Sequence, residues 1–435
     1  MTTNGPRREV LSRILAGGAR IDGQEVSLLG DLTGRLSNNL RQAGAGSGSL
    51  VIQAGLQGRE LLIATLATWA VDAVPLPCSK PPQMDVTRSA YVMDQAGTVR
   101  APAVDAPVEE MDSTLALHLS SGSTGRPKAV RRGTASVLGE AHGYRVKLGM
   151  GPASQVLVPI PLMHSFGWGF AVSALLNGAD VDAEPVVRMS RLAGKIDGGW
   201  GEVLGLTPPV ARLLTDTRPT GTAGRLRTAM VGAGPVSEGL AVQFRKRFGV
   251  PLSRGYGSSE TGAIFIGKQG IGNPIPGVEI THPAPGARGE LRLRMDAPVQ
   301  GYLGEEPDSA HEWNTGDIVD HHSGGEVHFV ERARPALRLN GRFVDVKEAD
   351  EALRALPGVE DVYLFALPRK ETPEQEDFCA VVAGPDADRA EAERVLRRLV
   401  DGLAAPRVVL CEKLPVDIVG KPDREELKRL VTRGD

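Results

Sequence analysis

The chain has 435 residues, 41% hydrophobic and 24% charged, and a formal net charge of −3. At roughly 100–200 residues per domain this length allows several domains, and the near-neutral balance excludes the global basic field that nucleic acid or an anionic membrane would require. Cys78, Cys379 and Cys411 lie far apart and are odd in number; they have neither metal-ligand spacing nor a disulfide pattern, and they fit a reducing, cytoplasmic setting.

Taken in order, Met1 to Val10 is polar and no apolar signal core follows it. Ser49–Ala54 reads as a strand, Arg59–Ala73 as a helix and Val74–Leu76 as the next strand. The apolar run Leu61–Leu76 is interrupted by Asp72 and is short for a bilayer span. Gly97–Asp112, with its prolines and acids, reads as a surface connection. Thr114–Leu119 and Gln155–Ile160 read as strands, and Phe170–Leu176 as the start of a helix. Arg227–Val231 is a strand stopped by Gly232 and Gly234, and Ser237–Phe248 is an amphipathic helix ended by Gly249. Such alternation predicts an α/β fold with much parallel sheet.

From about Gly277 the texture changes. Gly289–Arg294 and Glu326–Glu331 alternate polar and apolar residues like antiparallel ribbon. After a break near Arg332–Pro335, helices near Val346–Leu356 and Asp388–Leu403 and strands near Val362–Leu367 and Phe378–Val382 suffice for a small α+β domain. The expected division is therefore a large domain at 1–333 and a small one at 334–435.

The strand Thr114–Leu119 runs into Ser120-Ser121-Gly122-Ser123-Thr124-Gly125-Arg126-Pro127-Lys128. Glycines permit positive φ and close backbone approach, so successive N–H groups converge on an anion. Hydroxyls add donors, and Arg126 and Lys128 add charge. A polyphosphate needs this set. Pro127 between the two cations excludes a Walker A loop.

The run Ser120–Lys128 resembles the signature loop of the adenylate-forming superfamily, which includes acyl- and aryl-CoA synthetases, nonribosomal peptide synthetase adenylation domains and firefly-type luciferases. The resemblance implies a large domain of mixed, mostly parallel sheets with a β-ribbon subdomain, shortened at its N-terminus, followed by a small mobile domain. It extends in order along the chain. Pro159–Gly167 resembles the segment that sets His164 beside the reacting carboxylate. Val231-Gly232-Ala233-Gly234-Pro235 resembles the turn that packs on adenine. In Tyr256-Gly257-Ser258-Ser259-Glu260, the resemblance implies that Tyr256 stacks on adenine, Ser259 meets a phosphate and Glu260 holds Mg²⁺. Asp317 of Thr315-Gly316-Asp317 would bind the ribose hydroxyls, and Arg332 would close over them. Gly341 and Glu348 match the opening of the small domain, and Lys421 of Gly420-Lys421 would bridge the attacking carboxylate and the α-phosphate. The hinge departs from the pattern: Arg334 and Pro335 stand where relatives carry Asp or Lys, and Pro335 restricts its own φ and the residue before it.

The implied reaction joins a small carboxylic acid to ATP with Mg²⁺, releases pyrophosphate and forms an acyl-AMP, with Ser121, Gly122, Ser123, Thr124, Gly125 and Lys128 steadying the outer phosphates. Acyl transfer to a thiol would follow, CoA first, with a carrier-protein phosphopantetheine or an amine as alternatives; the set Lys128, Glu260, Asp317 and Lys421 speaks against a catalytically inactive homologue, and a phosphotransferase using the glycine loop ranks below it. Amino-acid-activating relatives place an Asp near His164. This chain has Ser165-Phe166-Gly167-Trp168-Gly169-Phe170, so an aryl or short-to-medium acyl acid is expected, in a pocket walled by Phe166, Trp168 and Phe170 or with those rings in the core.

Overall fold

The computed structural model describes residues 5–82, 89–102, 111–121, 127–184, 189–222, 224–305, 310–332, 337–339, 342–344, 346–369, 372, 375–399, 405–415 and 423–433. Two compact units emerge, a larger one of Met1–Ser120 with Pro127–Ala333 and a smaller one built on Arg334–Asp435.

In the larger unit, Leu252–Ser258, Thr228–Val231, Val203–Leu206, Gln155–Leu157, Asp180–Asp182 and Arg20–Ile21 lie side by side, each parallel to the next. Gly262–Gly267 and Asn273–Pro274 extend one edge antiparallel, and Gln24–Glu25 extends the other. Val203–Leu206 is buried throughout, as expected of strands covered on both faces. A second sheet joins Val74–Cys78, Leu50–Ala54 and Tyr91–Met93 in parallel, with Val99–Arg100 antiparallel at its edge. The expected surface connection at Gly97–Asp112 thus begins as an edge strand; residues 103–110 lie outside the described ones.

The helix Gly58–Ala70 is buried from Leu61 to Trp69. The helix Ser165–Leu176 is apolar nearly all round and buried from Gly167 to Leu175, the pattern of a core helix. It starts one turn earlier than expected, because the two glycines Gly167 and Gly169 mask a periodicity that tertiary packing restores. Glu238–Phe248 is capped at one end by Ser237, whose Oγ accepts from the Leu240 N–H at 3.1 Å, and at the other by left-handed Gly249, each a standard helix-end solution.

Beyond Gly277 an antiparallel sheet runs Val278–His282, Ala287–Met295, Glu312–His321, Val327–Arg332. The two expected ribbon strands therefore do not pair with each other: Glu312–His321 separates them. Its Thr315-Gly316-Asp317 reads locally as a turn, yet it is a bulge within the strand, where the register shifts opposite Glu290–Arg292 and Gly316 takes φ +68°.

In the smaller unit, Asp361–Pro368 pairs antiparallel with Glu376–Ala383, which pairs parallel with Arg407–Cys411. The helices Val346–Arg354 and Arg389–Leu399 supply Ala349, Leu353, Ala392 and Leu396 to a core completed by Val362, Phe378 and Val408. Among the described residues no helix is long and apolar enough to cross a membrane.

Candidate active site

The strands Thr114–Ser121 and Pro127–Gly133 pair with each other and flank the glycine-rich loop. Gly122, Ser123, Thr124 and Gly125 lie outside the described residues, as do Lys421, Arg334, Pro335 and Gly341; Ser121 ends the first strand. Lys128 is the second residue of the other strand. Alongside it runs residues 301–303: the Arg131 N–H donates to Gly301 O at 2.9 Å, the Leu303 N–H donates to Ala129 O at 2.8 Å, and Val130 bridges Tyr302. This backbone pairing puts the Tyr302 ring under Lys128, whose Nζ stands 4.6 Å from the ring centroid and donates to Glu305 at 2.9 Å. The Tyr302 hydroxyl in turn donates to Glu260 Oε1 at 2.8 Å.

Glu260 rides the turn of the hairpin formed by Leu252–Ser258 and Gly262–Gly267, together with half-buried Ser259. Thr261 closes that turn, its Oγ1 accepting from the Ser258 N–H at 3.1 Å. Gly257 is required by close approach: a Cβ there would lie 1.8 Å from Gly262 O. The hairpin's register shifts at a bulge between Tyr256 and Gly257, and there the Tyr256 hydroxyl donates to Asp317 Oδ2. The bulge in Glu312–His321 aims Asp317 at Tyr256, because bulges redirect a side chain out of the alternation. Asp317 is 7% exposed, and its backbone pairs with Arg332.

His164 is exposed at the N-cap of the helix Ser165–Leu176, and its carbonyl accepts from the Trp168 N–H at 3.0 Å. The turn Gly232–Gly234 has Ala233 at φ +63°, and a Cβ on Gly232 would lie 2.9 Å from the Phe166 ring. The missing Cβ at Gly232 lets the Phe166 ring approach the turn closely. Phe166 remains half-buried, whereas Trp168 and Phe170 are fully buried in the main core. Of the three aromatic candidates for a pocket wall, two are core packing.

Behind the site lies a buried ion pair that the sequence reading did not single out. Arg132 Nη2 donates to Glu140 Oε2 at 2.8 Å, and Arg132 Nη1 donates to Ser165 Oγ at 3.1 Å. Glu140 Oε1 accepts from the Ala263 N–H at 2.8 Å and from the Tyr144 hydroxyl at 3.2 Å. Burial, with the neighbouring Glu140 carboxylate, holds the Tyr144 hydroxyl well above the ordinary tyrosine range, so it stays a donor. His118 is fully buried, edge-on to Trp168 at 4.9 Å; burial, then Arg132 and His164, hold it well below the ordinary histidine range. The thiols are poor nucleophiles, since burial pushes Cys78 up to about 11 and Cys379 up to about 12. The doublet Arg131-Arg132 directly after Ala129-Val130 was a findable signal, whereas Tyr302 lies too far from Lys128 in sequence for its place beside that lysine to be read.

The donor set at Glu260 suits Mg²⁺. It is a hard carboxylate whose Oε2 has no protein partner among the described residues, and those residues hold no cluster of three or more metal-ligating side chains. Mg²⁺ prefers one or two carboxylates with waters and phosphate oxygens to an all-protein cage.

The Tyr256–Asp317 pair, the Tyr302–Glu260 bond and the Lys128–Tyr302 stack gather within one mixed α/β unit, that of an ATP-dependent acid ligase. The chain belongs to the AMP-binding enzyme family, whose model matches residues 84–303; within it, fold and motifs place the chain in the adenylate-forming superfamily. It is 25% identical over 353 residues to 4-coumarate--CoA ligase-like 2 of Arabidopsis thaliana, a match covering 74% of this chain and 62% of that protein. It is 25% identical over 452 residues to a feruloyl-CoA synthase of an Amycolatopsis species, covering 91% of each. Among solved structures, the amide bond synthetase McbA from Marinactinospora thermotolerans superposes with a TM-score of 0.78 at 20% identity, over 98% of this chain and 99% of that one, which shows a shared fold.

Proposed function

We propose that this protein activates an aryl or acyl carboxylic acid with ATP, giving an acyl-AMP and pyrophosphate, and then passes the acyl group to a thiol, CoA first. The observation that carries this reading is the linked set Lys128–Tyr302–Glu260, beside the Tyr256–Asp317 pair in the same unit. Residues 1–333 would bind ATP and the acid, and 334–435 would bring Lys421. The names of the similar ligases support a CoA acceptor and an aromatic acid.

In the proposed reaction a carboxylate oxygen attacks the α-phosphorus, the bond to the β-phosphate oxygen breaks, and pyrophosphate leaves with that electron pair. Nothing covalent is asked of the protein, which aligns the partners and offsets charge. Lys128, held over Tyr302, meets the outer phosphates with the loop N–H groups and hydroxyls. Asp317 accepts from the ribose hydroxyls, and Tyr256 orients that carboxylate. Glu260 would hold Mg²⁺, which when bound neutralises phosphate charge as a Lewis acid. Lys421 offsets the charge that grows between carboxylate and α-phosphate. The acid site is written for a substrate without an ammonium: the position after His164 is a serine whose hydroxyl Arg132 already holds, and Glu140 is matched by that same arginine.

Carboxylate-dependent ATP–pyrophosphate exchange over aryl, fatty and amino acids tests the proposal. Exchange with aryl or acyl acids that disappears in Lys421→Ala is the expected result, followed by acyl-CoA formation when CoA is added. Exchange with α-amino acids alone, or neither exchange nor MgATP binding, overturns it. An acyl-amide formed from an added amine, with CoA inert, would replace the thiol by an amine acceptor.

A further inference from the structure

We infer that the buried pair Arg132–Glu140 is a positioning device that fixes the Glu260 turn against the start of the helix behind His164. The inference rests on the proposed role of Glu260 as the metal-holding carboxylate.

Two elements meet on this pair. One is the hairpin turn: the Ala263 N–H, three residues after Glu260, donates to Glu140 Oε1 at 2.8 Å. The other is the helix Ser165–Leu176: Ser165, next to His164, accepts from Arg132 Nη1 at 3.1 Å. Both elements carry a glycine where they touch the pair. At Gly262, which has φ +72°, a Cβ would lie 2.5 Å from Arg132 Nη2 and 2.5 Å from Glu140 Oε2. At Gly169 a Cβ would lie 2.9 Å from Glu140 Oε2. The pair therefore sits in a slot cut by two glycines, one from each element.

The side chains of Arg132 and Glu140 are 0% and 1% exposed. Burying two ions is costly even when they are paired, and an apolar pair often serves stability as well or better. A charge pair in this slot brings direction: its hydrogen bonds reach a backbone N–H on one side and a hydroxyl on the other, at fixed angles, and such outer partners orient the groups that touch a metal or substrate. Glu140 and Arg132 touch neither the nucleotide nodes nor the Tyr302–Glu260 bond; they act through Ala263, Gly262 and Ser165.

The test uses the full chain with Mn²⁺ as the metal probe and a non-hydrolysable ATP analogue, reading Mn²⁺ affinity by electron paramagnetic resonance and the KM for the acid by pyrophosphate exchange. Glu140→Gln keeps an acceptor for the Ala263 N–H but strands the Arg132 charge. It is expected to weaken Mn²⁺ binding by about tenfold or more, the size of effect seen for outer-shell partners, and to raise the KM for the acid, with metal-free affinity for the analogue unchanged. If Glu140→Gln does not fold, Arg132→Met/Glu140→Met removes both charges together and is expected to show the same loss. Mn²⁺ affinity and KM both within about twofold of the parent, while Glu260→Ala abolishes Mn²⁺ binding, would overturn the positioning role and leave the metal assignment standing. Mn²⁺ binding equal in the parent and Glu260→Ala overturns the metal assignment and the positioning role together.

Discussion

The Tyr302 hydroxyl donates to Glu260 at 2.8 Å, and the same ring lies under the ammonium of Lys128. One aromatic residue thus couples the lysine after the glycine-rich loop to the carboxylate suited to Mg²⁺. Tyr302→Phe removes the hydrogen bond and keeps the ring. A hydrogen bond to a charged group contributes about 1.5–3 kcal/mol. The expected result is a loss of about tenfold in kcat/KM for MgATP, with thermal stability held by the ring. An unchanged kcat/KM would show that Glu260 is oriented without Tyr302.

Gly232 and Phe166 make a second test. A methyl on Gly232 would lie 2.9 Å from the Phe166 ring, so Gly232→Ala must turn a half-buried aromatic side chain. If Phe166 borders the acid, the KM for an aromatic acid rises by about tenfold, the scale of one methylene in an apolar pocket, while kcat falls less. Equal KM values for parent and variant would place the acid away from this ring.

Much of this fold was legible where the signal is local. Gln155–Ile160 and Arg227–Val231 are short runs read as strands, the second stopped by Gly232, and they hold interior parallel strands at Gln155–Leu157 and Thr228–Val231. Ser237 and Gly249 announce both ends of one helix. What escaped depends on pairings distant in sequence. Lys128 meets Glu305 across 177 residues, and Tyr302 reaches Glu260 only because residues 301–303 run beside Ala129–Arg131. Glu312–His321 was hidden because a bulge with a glycine at positive φ looks like a turn until its neighbours are in place. Trp168 and Phe170 were ambiguous because a helix apolar on every side gives no face to read.

Gly257 faces Gly262 across the hairpin that carries Glu260. A Cβ at 1.8 Å from a backbone carbonyl oxygen has no flexible partner to displace, so Gly257→Ala must open the hairpin or shift its bulge. Overpacking of this kind typically costs about 1–3 kcal/mol, occasionally more. The variant is expected to melt at lower temperature and to lose nucleotide affinity, because Tyr256 and Glu260 both leave their places. Unaltered melting and MgATP affinity would mean that the bulge absorbs a methyl freely.

The last test concerns pH. His118 is wholly buried against Trp168, and burial, then the charges of Arg132 and His164, hold it well below the ordinary histidine value of 6.5. The unfolded chain therefore takes up a proton near pH 6.5 while the folded chain does not. Stability from this group is fully present above pH 6.5 and is lost as pH falls from there toward the folded value. Over that window one proton's difference gives a slope of about 1.4 kcal/mol per pH unit. Melting temperature measured from pH 7.5 down to pH 5 should fall more steeply in the parent than in His118→Leu, which has no proton to gain. Parallel curves for the two proteins would mean that His118 is protonated in the folded state without cost, and that its site offers a counter-charge beyond the neighbours named here.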